Sequence, residues 1–341
     1  MLLGALWAAL IRIGWNWPVL LPALPLSHGP LMVSGFLGTL IGIERAVALG
    51  RRWMYLGPAF SAAGGIALAL GAPVGLGALL ILLGSLMLLI VFWAILRIEW
   101  INYTLIMTLG AVSWFVGNLV WLLGQPLFFV VYWWMAFLIL TIAGERLELG
   151  RLLRLSRSSL IFIYATIFLI LFGALAGMLA RPPGVLIYNL GLLGLGIWLL
   201  RYDVARRTVR QQGLPRFIAL CLLAGYVWLL GSAVLGLANG VQTGGLLYDA
   251  YLHGILLGFV FSMIFGHAPI IFPAVLGRAA VYKSWLYLPL ILLHFSLLLR
   301  LIGDQLFILP LRLWGGLLNA LAILLYFAVM LSAIRGTNDE G

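Results

Sequence analysis

The run Gly77-Ala78-Leu79-Leu80-Ile81-Leu82-Leu83-Gly84-Ser85-Leu86-Met87-Leu88-Leu89-Ile90-Val91-Phe92-Trp93-Ala94-Ile95-Leu96 carries no charged residue. As a helix rising about 1.5 Å per residue, it reaches across the roughly 30 Å hydrocarbon core of a bilayer. Backbone polar groups find no water in that core, so a run of this kind has to be helical to satisfy its own hydrogen bonds. Comparable apolar windows lie at 2–20, 27–49, 57–74, 103–123, 127–144 and 158–180, and again at 184–201, 216–238, 246–276, 283–302 and 307–334. Hydrophobic residues make up 65% of the 341, against about 45–50% in soluble domains. The sequence therefore reads as an all-α polytopic membrane protein, with about twelve transmembrane helices in a single transmembrane domain over 1–341.

The charges sort by loop. Arg45 stands near the end of the second window and Arg51 and Arg52 follow it, and Arg146, Arg151, Arg154 and Arg157 follow the sixth. Arg206, Arg207 and Arg210 follow the eighth, and Arg278 and Lys283 follow the tenth. The intervening loops hold little beyond Arg181, Asp249, Arg300, Asp304 and Arg312. Basic residues concentrate on the cytoplasmic side, so the even-numbered loops and both termini are expected in the cytoplasm, with the chain in the cell inner (cytoplasmic) membrane. The net charge of +11 then meets lipid headgroups, and no nucleic-acid partner is expected. The N-terminus has neither a basic leader nor a small-residue cleavage site, so the first segment is expected to be retained. The single cysteine, Cys221, excludes an intrachain disulfide, a thiolate zinc site and a c-type haem attachment.

Leu49-Gly50-Arg51, Leu149-Gly150-Arg151 and Leu276-Gly277-Arg278 close the second, sixth and tenth windows. Recurrence at every fourth helix predicts three pseudo-symmetric four-helix arcs. Glu44 and Glu145 each stand beside an arginine, and Glu99 lies near Arg97; all three read as local ion pairs. Trp15, Trp17, Trp133 and Trp134 read as an interfacial aromatic belt.

The chain has four histidines, and ionisable groups inside lipid are costly and usually functional. His28 and His253 stand near the starts of the second and tenth windows, which run in the same direction, so both lie toward the outer leaflet. Each is followed by a glycine, Gly29 and Gly254, which leaves room for a flat macrocycle. Two imidazoles at matched depth on separate helices suit the two axial positions of a haem iron. His267 lies 14 residues beyond His253, about 21 Å deeper and within roughly 40° of the same face. His294, about ten residues into the eleventh window, counts to nearly the same depth, and Pro269 and Pro273 should kink the tenth helix nearby. His267 and His294 are thus expected within about 8 Å of each other, as a hydrogen-bonded pair, a proton relay or a second metal site for copper or zinc.

His28-Gly29-Pro30-Leu31-Met32 followed by Gly35-Phe36 resembles the His-Gly-x-x-Met segment in the second helix of the haem–copper oxidase catalytic subunit. It also resembles the His-x-His-x-Met-x-x-Gly-Phe segment of the NnrS family, with Pro30 in place of the second histidine. Ala250-Tyr251-Leu252-His253 is similar to the His-x-His segment of the oxidase tenth helix, and Leu10-Ile11-Arg12 to the arginine-bearing end of its first. The resemblance implies a low-spin haem b held by His28 and His253, with Met32 nearby and Arg12 against the haem. It implies electron transfer or nitric-oxide handling, with a redox partner or quinol and a small gaseous ligand as candidate partners besides membrane lipid.

Arg300 and Arg312 are the cations nearest the outer surface that haem propionates could reach, unless they pair with Asp304 or snorkel to headgroups. Tyr251 replaces the histidine that would hold a second haem, and the sixth and seventh windows contain no histidine. Oxygen reduction of the oxidase type is therefore not expected. A transporter or channel with His267 and His294 along a midplane path is the alternative reading.

Overall fold

The computed structural model describes residues 1–151, 155–277 and 281–335; Arg154 and Arg278, counted above with the basic loops, lie outside them. All twelve windows are helical, and no strand occurs among the described residues. The principal helices are α1 (Leu2–Ile13), α2 (Pro25–Leu49), α3 (Leu56–Ala69), α4 (Val74–Ile98), α5 (Asn102–Leu122) and α6 (Leu127–Leu149). There follow α7 (Arg157–Leu179), α8 (Arg181–Tyr202), α9 (Leu214–Asn239), α10 (residues 246–276), α11 (Tyr287–Gln305) and α12 (Leu309–Arg335). Among the described residues ten of these are long and apolar enough to cross a bilayer, and the chain is a multi-pass membrane protein.

The two short helices, α1 and α3, fall short of their windows because apolarity does not mark where a helix stops. Gly14 ends α1 in a left-handed conformation at φ 119°, with its N–H returned to Ile11 O, and Pro18 and Pro22 follow. Gly71, at φ 80°, does the same for α3 just before Pro73. Left-handed backbone carries no steric cost at glycine.

The chain forms two compact units, Met1–Glu145 and Arg146–Gly341. Two of the three copies of the Leu-Gly-Arg motif share a local feature. Gly50 and Gly277 are left-handed caps at φ 66° and 62°, and a basic residue after such a cap faces the helix's negative end. Helix-stopping chemistry repeats without requiring repeated units.

Within the first unit, α4 shows how an all-apolar helix chooses its inner face. Gly77, Ile81, Gly84, Ser85, Leu88 and Phe92 are buried, whereas Leu79, Leu86, Ile90 and Trp93 are exposed. Lipid and core are equally apolar, so small residues rather than hydrophobic ones mark the contact. Four polar groups tie α2, α5 and α6 together: Trp114 Nε1 donates to Ser34 Oγ (3.0 Å), Ser34 Oγ to Asn118 Oδ1 (3.3 Å), and Trp134 Nε1 to the same Oδ1 (2.9 Å). Trp133 and Trp134 are buried and so do not belong to an interfacial belt.

Candidate functional site

Helices α2 and α10 share an unusual build. His28 is followed after two residues by a π-helical stretch, Leu31–Gly38, and His253 is followed at once by another, Gly254–Phe261. π-Helical turns are rare and frequently accompany functional sites. Each stretch ends in regular α-helix, Thr39–Leu49 and Ser262–Leu276.

In the first unit, His28 Nδ1 lies 2.9 Å from Ala5 O of α1. A carbonyl only accepts, so Nδ1 carries the proton and the lone pair sits on Nε2. Met32, one turn on, is buried. A Cβ on Gly29 would meet nothing within 4 Å. Arg12 Nη1 donates to Pro25 O at 3.4 Å, which places it at the start of α2. Arg45, expected to pair locally, bridges Glu44 and Glu145, and Arg97 lies over the Trp93 ring at 3.9 Å rather than on Glu99.

In the second unit, His253 has the same polarity. Its Nδ1 lies 2.9 Å from Asp249 O and 3.2 Å from Asp249 Oδ1, so it donates and Nε2 holds the lone pair. Around it stands an ionic cluster. Arg300 donates to Asp249 Oδ2 through Nη2 (2.7 Å) and Nε (3.2 Å), and its Nη2 lies 3.4 Å from both His253 ring nitrogens. Arg312 Nε donates to Asp304 Oδ1 at 2.7 Å and reaches Asp249 at 3.6 Å. Two arginines face two aspartates, so Arg300 and Arg312 are charge-balanced by the protein rather than held ready for propionates. Asp249, read from sequence only as a loop charge, is four residues before His253 and so on the same face, a spacing that could have disclosed it. Gly254 also has a structural cause, since a Cβ there would lie 2.3 Å from Ser232 Oγ of α9.

Counting residues from the Arg300–Asp249 contact puts His267 and His294 at different depths. Arg300, six residues beyond His294, bonds Asp249 and reaches His253, which pins the register of α11 against α10. His294 therefore lies about 9 Å back from that level, whereas His267 lies about 21 Å along α10. Counting residues from the connecting loop had assumed that the two helices pair evenly from their shared turn; the ion pair sets a different register.

The two rings are also engaged separately. His267 Nδ1 donates to Met263 O (2.8 Å), and its Nε2 accepts from Arg146 Nη1 (3.1 Å). Arg146 in turn grips Asp203 through Nε (2.8 Å) and Nη2 (3.3 Å), and Asp203 Oδ1 accepts the Ala205 N–H at 2.7 Å. All three side chains are buried, and the buried Tyr226 faces the same pair. His294 Nδ1 accepts from Trp228 Nε1 at 3.0 Å. An indole N–H only donates, so the proton of His294 sits on Nε2.

A metal needs a ring lone pair. Arg146 uses the one on His267 and Trp228 the one on His294. Among the described residues no three His, Cys, Asp or Glu side chains converge on a metal-sized point. Asp203 and Trp228 were invisible as partners in the sequence because they arrive from α8 and α9, remote in the chain.

The family model described as a domain of unknown function, DUF8744, matches residues 1–335. The chain belongs to that family. No curated protein matches this DUF8744 chain.

Proposed function

We propose that this DUF8744 protein is an integral-membrane haem b protein acting in electron transfer or nitric-oxide handling, with His28 and His253 as the iron's imidazoles. The observation that supports the reading is that His28 and His253 are each held through Nδ1 just before a π-helical stretch. A haem iron takes one imidazole nitrogen while the other donates to a carbonyl or carboxylate that fixes the ring. His28 donates to Ala5 O, and His253 to Asp249; in both the lone pair falls on Nε2, and on His253 that nitrogen also lies 3.4 Å from Arg300 Nη2. His267 and His294 have their lone pairs committed to protein donors. The π-helical stretch after each outer histidine adds a second shared feature. The likeness to the oxidase and NnrS segments supports the choice of haem over another cofactor.

A bound haem would supply one-electron chemistry or a site for a small gaseous ligand. The chain's own contribution is orientation and charge. Ala5 O holds the plane of His28, Asp249 holds that of His253, and Arg300 steadies the Asp249 carboxylate. Arg12, bonded to Pro25 O, would stand near His28. The basic loops support the inner membrane, with both termini cytoplasmic. The alternative, a transporter path through His267 and His294, finds each ring bonded to another protein group.

Visible spectroscopy of the purified protein tests the proposal. Reduced protein should show sharp low-spin b-type bands, and His28→Ala or His253→Ala should abolish them or convert the iron to high spin. A folded, monodisperse protein that neither carries haem nor takes it up would refute the reading.

A further inference from the structure

The four histidines leave one donor unaccounted for. Because Trp228 can only donate to His294 Nδ1, the neutral ring must carry its proton on Nε2. That nitrogen is buried and has no hydrogen-bond acceptor among the described residues. An N–H without an acceptor is costly in a lipid-like interior. Ser232, one turn along α9 from Trp228, places a second buried hydroxyl without a partner on the same face. Both side chains sit on the π-helical stretch of α10. Trp228 packs on Gly258, where a Cβ would lie 2.5 Å from the indole, and Ser232 packs on Gly254.

The surroundings define what could accept that proton. The indole and imidazole rings are nearly coplanar, 18° apart, and form a bridge between α9 and α11. Val227 beside Trp228, and Ile291, Phe295 and Leu298 around His294, are more than half exposed along the flanks of this seam. His294 lies midway along the apolar span Ser284–Gln305, about 15 Å from either end. Phospholipid ester carbonyls lie at the edge of the hydrocarbon core, about 15 Å from its centre, and would not reach it. The acceptor should be neutral and soluble in the membrane interior, and a carbonyl on an apolar ring meets both conditions.

We propose that the Trp228–His294 seam between α9 and α11, over Gly258, binds a quinone ring, with His294 Nε2–H donating to a quinone carbonyl. The site requires no iron and stands or falls separately from the haem reading. Trp228 fixes the tautomer that makes His294 a donor, and the apolar flanks take the ring's tail. The seam is closed over Nε2, so entry moves one of the flanking side chains.

Decylubiquinone is the probe, titrated into detergent-purified protein and followed by quenching of tryptophan fluorescence. Wild type should bind saturably, with one site per chain. His294→Leu should weaken binding at least about tenfold, whereas His294→Gln, which can accept from Trp228 and still donate, should stay within about threefold. Both variants must elute as monodisperse protein with any haem spectrum unchanged; His294→Gln keeps the test valid if His294→Leu fails to fold. Absence of saturable binding, or equal affinity in wild type and His294→Leu, would overturn the assignment. Titrations in ether-lipid and ester-lipid nanodiscs separate the sources of a carbonyl. Equal affinity in both supports the quinone, whereas competition seen only in ester lipid would make a phospholipid the occupant and overturn it.

Discussion

Arg146→Met is expected to destabilise the second unit by about 3–5 kcal/mol, the usual cost of removing one partner from a buried ion pair. The Asp203 side chain is 1% exposed. Without Arg146 its carboxylate would keep the Ala205 N–H but lose its counter-charge. The same substitution withdraws the donor to His267 Nε2, so one change leaves two buried acceptors short. A further substitution of Asp203 by asparagine removes the stranded charge while retaining an oxygen for Ala205. Arg146→Met/Asp203→Asn should therefore be less destabilised than the sum of its single variants, because the two groups share one interaction. Thermal melting of the four proteins in one detergent measures this cycle. Additive losses, or an Arg146→Met protein that melts with wild type, would mean that the pair does not hold the second unit together around Asp203 and His267.

What was legible in the sequence was the part governed by lipid. Twenty uncharged residues at 77–96 could only be a helix, and the same reasoning located all twelve. It overshot at α1 and α3 because Gly14 and Gly71 stop those helices by backbone conformation, which apolarity does not register. Leu-Gly-Arg was legible as a pattern, and at Gly50 and Gly277 it coincides with left-handed helix caps. Depth counting separated His28 and His253 from the other two histidines. It placed His267 beside His294 because it lacked the pairing of Arg300 with Asp249 that sets the register. Partners arriving from remote helices, Asp203 for Arg146 and Trp228 for His294, leave no local trace. Neither do the π-helical stretches after His28 and His253, whose residues differ little from ordinary apolar helix.

Gly184→Val should be among the most damaging single changes in the protein, although it adds only apolar atoms to an apolar helix. A Cβ at Gly184 would stand 2.2 Å from Gly177 N and 2.3 Å from Gly177 Cα, and one at Gly173 would stand 2.4 Å from Tyr188 N. The obstructing atoms are backbone on both helices, so no side chain can rotate away and α7 and α8 must separate. Overpacking costs about 1–3 kcal/mol where side chains can adjust, and more where they cannot. Lipid offers no hydrophobic compensation for that separation, because the contact rests on close packing between small residues rather than on exclusion of water. Gly231→Ala supplies the contrast. It also lies within a long apolar helix, α9, but a Cβ there meets nothing within 4 Å. Removing a glycine from a helix interior by itself stabilises by about 1 kcal/mol, so this variant should melt at or slightly above the wild-type temperature. Comparable melting of Gly184→Val and Gly231→Ala would show that α7 and α8 tolerate separation and that their glycines are not what brings them together.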